Sequence, residues 1–241
     1  MLKLINVSKS FYSIEPALCN INLELNPEDF CVILGSNGCG KSTLMRSIAG
    51  EHDIDNGQII IDGVDLTTRS RSHVVASVTQ DINQNTIPSM TLLENMVLAY
   101  RRTKPASFSF YRNYKNEMLG YLSHFANGLE QYIDQPLNIL SGGQRQMLAT
   151  LMAIISRPKI LLLDEHTSAL DPNIQQVLMQ YTLEQITQRK LTTLMITHKL
   201  DDALKYGNRL LMLSRGKIIF DVSGMQKTAL SLKDLEANYA L

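Results

Sequence analysis

The chain has 241 residues, a formal net charge of +0 at pH 7 and a hydrophobic content of 44%. A hydrophobic content of this size excludes a disordered or fibrous chain. With no net charge, the chain has no global field that would attract nucleic acid or acidic lipid. Three cysteines without paired spacing, and a start unlike a signal peptide, indicate a reducing cytosol. The longest apolar runs are far shorter than the about 20 residues that span a bilayer, so we expect that the chain does not cross a membrane alone.

Four apolar patterns predict strands. Residues 18–26 alternate between apolar and polar side chains, which is typical of a strand with one side in water. The runs at 30–34, 159–163 and 192–196 are nearly continuous, as expected of parallel strands that are covered on both faces. Helical segments separate these runs, so we predict an α/β core fronted by an antiparallel β layer.

A helical region interrupts the strand pattern. Between about residues 81 and 157 no strand is predicted, and the segment TLLENMVLAY begins with the capping box Thr91-x-x-Glu94. We therefore predict a single domain, in which a helical subdomain at 81–157 is inserted into a core made of 1–80 and 158–241.

The segment GSNGCGKST, residues 35–43, has the P-loop spacing and follows an apolar strand. Glycines let backbone N–H groups turn inward around phosphate oxygens. Lys41 can reach the outer phosphates, and the Ser42 hydroxyl can ligate Mg²⁺. A glycine-rich turn at a helix start is the alternative interpretation of the same residues.

The segment ILLLDE combines a buried strand with two carboxylates at its carboxyl end, where ligands of α/β sheets bind. Asp164 would hold the metal ion, usually through water, and Glu165 would polarise the attacking water. Glu165 can act as a base beside a triphosphate only if Mg²⁺ and Lys41 offset the negative charge. A strand that merely ends in acidic loop residues is the alternative.

Two helix starts lie further along the chain. Asp171, followed by proline, predicts a helix that runs to about Arg189. In LSGGQ, Ser141 is a natural N-cap, and Gly142 and Gly143 make a second phosphate-binding shape. One chain has no evident use for two phosphate-binding segments. A head-to-tail pair of chains does, because the LSGGQ segment of each chain can close on the nucleotide held by the P-loop of the other chain.

The ATP-binding-cassette family has these motifs in the same order, and the chain resembles this family over nearly its whole length. The matching segments are the Walker A loop, the Q-loop residue Gln80, the signature LSGGQ at 140–144, the Walker B strand at 160–165, the D-loop SALD at 168–171 and the switch histidine His198. The resemblance implies a P-loop NTPase fold with a RecA-like core, an antiparallel β subdomain and an inserted helical subdomain. It also implies ATP and Mg²⁺ as cofactors.

The resemblance implies a role for each matching residue. Gln80 would sense the metal ion and the attacking water, His198 would contact the γ-phosphate, and Phe11 or its neighbour Tyr12 would stack on adenine. The signature residues Ser141, Gly142, Gly143 and Gln144 would belong to the nucleotide site of the partner subunit. Asp171 would help to build the dimer contact. The predicted catalytic set is Glu165, His198, Gln80 and Lys41, and the predicted metal set is Ser42, Gln80 and Asp164. The predicted nucleotide-binding set is Phe11, Tyr12, Gly35, Ser36, Asn37, Gly38, Cys39, Gly40, Lys41, Ser42, Thr43, Gln80, Ser141, Gly142, Gly143, Gln144, Asp171 and His198.

Three positions depart from the family pattern. His166 stands where the family usually has proline, and it is either a packing variant or a second histidine near the γ-phosphate. Cys39 is either a small side chain that fits or a thiol made reactive by the helix end and Lys41. The segment PLNI at 136–139 lacks the acidic residues that exporters have there, which favours an import-type or stand-alone subunit.

The segment RRTKPASFSFYRNYK, residues 101–115, has five basic residues, four aromatic residues and no acid. In the helical region of this family it would lie near the surface that docks on a membrane partner or on nearby lipid. A solvated face and a site for single-stranded nucleic acid are the alternatives, because nucleic acids of that kind bind to aromatic and basic side chains.

The leading functional hypothesis is that the chain is the ATP-hydrolysing subunit of a transporter, and the sequence favours an importer. Two copies would enclose two ATP molecules on the cytoplasmic face of the cell membrane, each copy on a permease subunit, and closure would depend on the γ-phosphate. An extracytoplasmic solute-binding protein would be a further partner, and no nucleic acid is expected. Several segments resemble a bacterial subgroup linked to lipoprotein-dependent uptake of small organic solutes such as aromatic amino acids.

Two other functions fit parts of the sequence. A soluble cassette ATPase of an assembly or repair system is the first, although SGGQRQ favours transport. A nucleotide-binding switch that does not hydrolyse is the second, and the intact Glu165 and His198 argue against it.

Overall fold

The structure, a computed structural model, describes residues 1–11, 15–79, 86–104, 110–125, 128–168 and 170–239. The strands are β1 (Leu2–Lys9), β2 (Leu18–Leu25), β3 (Phe30–Leu34), β4 (Asn56–Ile61), β5 (Val64–Asp65), β6 (Val75–Val78), β7 (Ile160–Asp164), β8 (Thr192–Ile196), β9 (Arg209–Ser214) and β10 (Lys217–Ser223). The α-helices are α1 (Lys41–Ala49), α2 (Leu92–Arg101), α3 (Lys115–Phe125), α4 (Gly142–Ile155), α5 (Pro172–Arg189), α6 (Leu200–Lys205), α7 (Met225–Thr228) and α8 (Leu232–Tyr239). Short 3-10 helices lie at Tyr111–Tyr114, Leu129–Tyr132 and Leu137–Ile139.

A six-stranded sheet forms the core, in the order β10-β9-β3-β8-β7-β6. The strands β9, β3, β8, β7 and β6 are parallel neighbours, and β10 pairs antiparallel with β9. Along β3, Val32 and Leu34 pack into one hydrophobic cluster, whereas Cys31 and Ile33 pack into another. Because successive side chains of a strand point to opposite faces, this division shows that the sheet is covered on both sides. The predicted parallel strands are confirmed.

The predicted antiparallel layer is also confirmed. A four-stranded sheet has the order β2-β1-β4-β5, and each neighbouring pair in it is antiparallel. Leu2 of β1 and Leu25 of β2 are fully buried in the same cluster as Leu44 and Ile48 of α1. This sheet therefore covers the helix that follows the P-loop.

Helices fill the stretch between β6 and β7 in the described residues, where the only strand-like pairing is an isolated bridge of Thr91 with Pro136. The predicted capping box begins α2: the Glu94 N–H donates to the Thr91 hydroxyl at 3.2 Å, and the Thr91 N–H donates to the Glu94 carboxylate at 2.8 Å. Met96 of α2 and Leu148 of α4 are fully buried in one cluster. The apolar faces of these helices therefore pack against each other, as amphipathic helices do.

The helix predicted after Asp171 is confirmed with its bounds. The Asp171 carboxylate accepts a hydrogen bond from the Asn173 N–H at 3.0 Å, and Pro172 occupies the first helical position. The helix ends at Arg189, and Lys190 follows in a left-handed conformation. A proline at this position costs nothing, since its missing N–H would have had no partner within the helix.

The basic aromatic stretch makes contacts within the protein, in so far as its residues are described. Arg101 donates to the Tyr114 hydroxyl at 2.6 Å, and the Lys104 ammonium lies 3.4 Å from the centroid of the Tyr100 ring. Residues 105–109 lie outside the described residues. Cation–π contacts of this kind hold the aromatic rings against the chain's own basic groups. Phe110 in the same stretch is 82% exposed, so the three interpretations of this stretch stay open.

In the part of the chain that the structure describes, no helix combines the length and apolar character needed to span a bilayer.

Arg71 is a buried cation that joins α1 to the loop after β5. Its side chain is 2% exposed and donates to the Leu66 carbonyl at 2.8 Å and to the Thr67 carbonyl at 2.5 Å. A further hydrogen bond goes to the carbonyl of Ser47, in the last turn of α1. Burial lowers the pKa of this guanidinium, so the three carbonyl partners are what make its buried position tolerable.

We expect Arg71→Ala to lower the free energy of unfolding by about 2–4 kcal/mol, because it leaves buried carbonyl groups without their charged donor. Urea unfolding at pH 7 measures the change. Arg69→Ala is the matched control, since Arg69 is exposed, and it should leave the unfolding curve nearly unchanged. Equal free energies of unfolding for the two variants would contradict a stabilising role of the Arg71 hydrogen bonds.

Candidate nucleotide-binding and catalytic site

The strand order brings three predicted site segments to one edge of the core sheet. β8 lies between β3 and β7, and Ile196 at its end is paired with Ile33 on one side and with Asp164 on the other. The P-loop follows β3, His198 follows β8, and Glu165 follows β7. Parallel strands end at the same edge, so segments that are up to about 160 residues apart in the chain meet there.

The P-loop has the conformation that its glycines predict. Gly40 has φ 110°, and a Cβ atom added to it would lie 2.3 Å from the Ala17 carbonyl oxygen. The loop could therefore not hold a larger residue at this position. Gly40 is also the N-cap of α1, and because glycine has no capping side chain, it leaves the first N–H groups of the helix free to bind an anion.

Lys41 is folded into the P-loop. Its ammonium donates to the carbonyl of Gly35 at 2.7 Å and to that of Ser36 at 2.9 Å, and the residue is 5% exposed. These carbonyls compensate the loss of water around the charge. The ammonium is thus held inside the loop that is predicted to surround the phosphates, beside the exposed Ser36, Asn37 and Gly38.

Cys39 is a packed residue in this loop. It is 5% exposed, and its Sγ atom lies so close to Gly35 that a Cβ added there would come within 2.6 Å of it. A thiol reagent needs access to the sulfur, so this position favours the interpretation of Cys39 as a small side chain that fits.

Asp164 and Ser42 bring oxygen atoms together at the start of α1. The Ser42 hydroxyl is hydrogen-bonded to the Asp164 carboxylate. Burial raises the pKa of Asp164, and the Ser42 hydrogen bond and the charges of Arg46 and Lys41 oppose that increase. A hydroxyl and a carboxylate are the hard oxygen ligands that Mg²⁺ prefers, so the residues present fit that ion.

Glu165 and His198 are in direct contact through the Glu165 carboxylate and the His198 Nε2 atom. Glu165 has a left-handed backbone, with φ 49°, and its N–H donates to the Ile196 carbonyl at 3.3 Å. A non-glycine residue in this region is uncommon, and such strain is concentrated at functional sites. The two side chains also line a cavity of about 100 Å³ that extends to Gln175.

The signature turn begins α4 as predicted. The Ser141 hydroxyl accepts from the Gln144 N–H at 3.2 Å, and the Gln144 side chain accepts from the Ser141 N–H at 2.9 Å. Ser141 and Gly142 are exposed, and Gly143 lies beside Leu170 of the D-loop. The Ser141 hydroxyl and the Gly142 backbone thus lie on the surface of the subunit.

Several predicted site residues are less constrained. Phe11 is 45% exposed after the end of β1, as a base-stacking ring must be. Thr43 is half-buried in the first turn of α1. Tyr12 and Gln80 lie outside the described residues.

Arg46 is a charged residue close enough to influence Asp164, and it was not predicted. Its charge lowers the pKa of Asp164, against the larger effect of burial. It lies four residues after Ser42 on α1, and side chains at that spacing share a helix face. This periodicity is the signal that could have identified Arg46 from the sequence.

His166 is a buried neutral histidine. It is 2% exposed, and its Nε2 atom has no hydrogen-bond partner among the described residues. Burial lowers its pKa from 6.5 to about 4. A neutral ring inside the protein favours the interpretation as a packing variant over a second phosphate-binding histidine.

Comparisons with known proteins identify the family of the chain. The model of the family described as ABC transporter matches residues 18–168. The tyrosine transport ATP-binding protein of Clostridioides difficile (strain R20291) is 39% identical over 98% of this chain and 97% of its own length. The spermidine/putrescine import ATP-binding protein PotA of Aggregatibacter actinomycetemcomitans is 35% identical over 92% of this chain, which spans 58% of the length of that relative.

A solved structure shows the same fold. The dimeric ATP-binding cassette MJ0796, in a post-hydrolysis state bound to ADP and Pi, superposes with a TM-score of 0.79. It is 29% identical and covers 92% of this chain, with 98% of its own chain matched.

A parallel sheet with a P-loop at one strand end and paired carboxylates at another defines a P-loop nucleotide hydrolase. The chain belongs to the ABC transporter family, as an ATP-binding and ATP-hydrolysing subunit.

Stability should depend on pH through His166. The folded pKa is about 4 and the unfolded value is 6.5, so the unfolded chain binds the extra proton between these two pH values. The stabilising contribution is complete above pH 6.5 and is lost as the pH falls towards 4, by up to about 3 kcal/mol. We expect His166→Gln to lose less stability than the wild type over this range.

Urea unfolding at several pH values between 7 and 4 measures this difference. His73→Gln is the matched control, because His73 is exposed, and its curve should run parallel to that of the wild type. A His166→Gln curve that also runs parallel would contradict a buried neutral histidine.

Proposed function

We propose that the residues at this sheet edge hydrolyse ATP with Glu165 as the base. The observation that carries the proposal is the alignment of three strand ends, because the segments of Lys41, Glu165 and His198 follow these strands at one edge of the sheet. Lys41 and the N–H groups at the start of α1 would bind the phosphates. Ser42 and Asp164 would hold Mg²⁺, which when bound offsets negative charge on the phosphates.

In this proposal, Glu165 orients a water molecule in line with the γ-phosphate and accepts its proton as the water oxygen attacks phosphorus, while the bond from phosphorus to the β–γ bridging oxygen breaks and ADP leaves. The contact between Glu165 and His198 supports this assignment, because it fixes the direction of the carboxylate. The exposed imidazole of His198 would then contact the γ-phosphate. Gln80 completes the proposed set, and Phe11 stacks on the adenine.

We further propose that two copies of the chain enclose the nucleotides head to tail. The capped signature turn supports this, because Ser141 and Gly142 are exposed at a helix N-terminus and can donate to phosphate oxygens of a partner. The dimeric structure of the similar cassette MJ0796 supports a dimer of this chain. Asp171 would then lie near the subunit contact, at the start of α5.

The cellular role that we propose is import of a small organic solute. The similarity to a tyrosine transport ATP-binding protein supports an aromatic amino acid as the cargo, and the similarity to PotA supports uptake. The dimer would attach to permease subunits on the cytoplasmic face of the cell membrane, and an extracytoplasmic binding protein would deliver the solute.

Co-purification with an integral membrane protein, followed by ATP-dependent tyrosine uptake into vesicles made with it, tests this role. Co-purification with a soluble scaffold would contradict it.

Glu165→Gln should lower ATP turnover by at least about a hundredfold, because glutamine cannot accept the proton from water. ATP binding should remain and a stable ATP-bound dimer should accumulate. Phosphate release and size-exclusion chromatography with ATP measure the two effects. Glu236→Gln is the matched control at an exposed carboxylate. Full turnover in Glu165→Gln would remove this residue from its proposed role.

Ser141→Ala should lower turnover at least about tenfold, because it removes a donor to the partner's nucleotide along with the N-cap. Binding of ATP to the monomer should stay unchanged. Ser231→Ala is the matched control, since Ser231 caps α8 through the same kind of hydrogen bond, and it should keep turnover within about twofold. A Ser141→Ala variant with wild-type turnover, in a protein that stays monomeric with ATP, would exclude the head-to-tail dimer.

A further inference from the structure

Phe11 is held by a network that the known motifs do not include. Asp55, in the turn before β4, accepts from the Lys9 ammonium at 2.9 Å and from the Ser10 N–H at 2.6 Å. The Asp55 N–H in turn donates to the Ser8 carbonyl at 2.9 Å. Three hydrogen bonds thus fasten the end of β1, immediately before Phe11, to the segment that follows α1.

Two side chains of this region lie against the Phe11 ring. The Lys9 ammonium lies over the ring, 5.5 Å from its centroid, and the His52 ring meets it in an edge-to-face contact with centroids 5.3 Å apart and planes at 75°. Phe11 nevertheless remains 45% exposed. The exposed part of the ring is where a planar ligand could make contact.

His52 is itself anchored to the P-loop helix. Its N–H donates to the Arg46 carbonyl at 3.3 Å, and the neighbouring Glu51 N–H donates to the same oxygen at 2.9 Å. Arg46 lies in the last turn of α1, whose first residue is Lys41. One nine-residue helix therefore begins at the predicted phosphate site, and a carbonyl in its last turn holds the segment that carries His52.

We propose that His52 is a positioning residue for the purine base, which fixes the tilt of the Phe11 ring relative to the phosphate-binding end of α1. This inference rests on the proposed role of Phe11 in stacking on adenine. A ring that is already oriented loses less conformational freedom when a base stacks on it, so binding is tighter than on a free ring. Lys9 and Asp55 support the same ring from the strand side.

The test compares the binding of two probes by the full chain. ATP in EDTA, where hydrolysis is prevented, reports the base and the phosphates together, and inorganic tripolyphosphate reports the phosphates alone. His52→Ala should weaken ATP binding about three- to tenfold, the range expected for one aromatic contact, and leave tripolyphosphate binding unchanged. His52→Phe should restore ATP binding, since it keeps a ring edge. His73→Ala, at an exposed histidine, is the matched control.

A double-mutant cycle separates positioning from general structure. In a Phe11→Ala background, His52→Ala should cause no further loss of ATP binding, because the ring that it orients is gone. The inference is overturned if the loss persists in that background, if tripolyphosphate binding falls equally, or if His52→Ala binds ATP like the wild type.

The same measurements give a different result if Phe11 does not stack on adenine. If Phe11→Ala alone binds ATP normally, Phe11 does not stack on the base, and the inference is lost with it. If Phe11→Ala weakens ATP binding and His52→Ala does not, the assignment of Phe11 survives and only the role of His52 is overturned.

Discussion

The site depends on the parallel pairing of β3, β8 and β7. Hydrogen bonds between these strands fix Ile33, Ile196 and Asp164 side by side, so the loops that follow them leave the sheet at one edge. A shift of register by one residue would turn every buried side chain of a strand to the opposite face. Both faces of this sheet are packed, which makes such a shift costly. The geometry of the proposed nucleotide site is therefore set by the hydrophobic core.

Polar groups of the proposed site are paired with other groups of the protein. The Lys41 ammonium is held by two carbonyls of its own loop, and the Glu165 carboxylate is in contact with His198. These partners lower the cost of burying charge, and they also fix the direction in which each group points. A bound triphosphate would exchange with some of these partners and find the groups already in place.

Helix α1 links the two ends of the proposed nucleotide site. Its first turn carries Lys41 and Ser42, and its last turn accepts the hydrogen bonds of the segment that contains His52. Arg71 ties the same last turn to the loop after β5. Distances along a helix are fixed at about 1.5 Å per residue. A rigid element of this kind can set the separation of base and phosphate sites where a loop could not.

Features that depend on neighbouring residues could be predicted from the amino-acid sequence. The P-loop glycines, the caps at Thr91 and Ser141 and the runs that became β3, β7 and β8 act over a few residues, so their patterns were sufficient. The tertiary structure alone decided which distant groups meet. The contact of His52 with Phe11, the burial of His166 and the carbonyl partners of Arg71 arise from packing between segments that are far apart in the chain, and no local spacing encodes such packing.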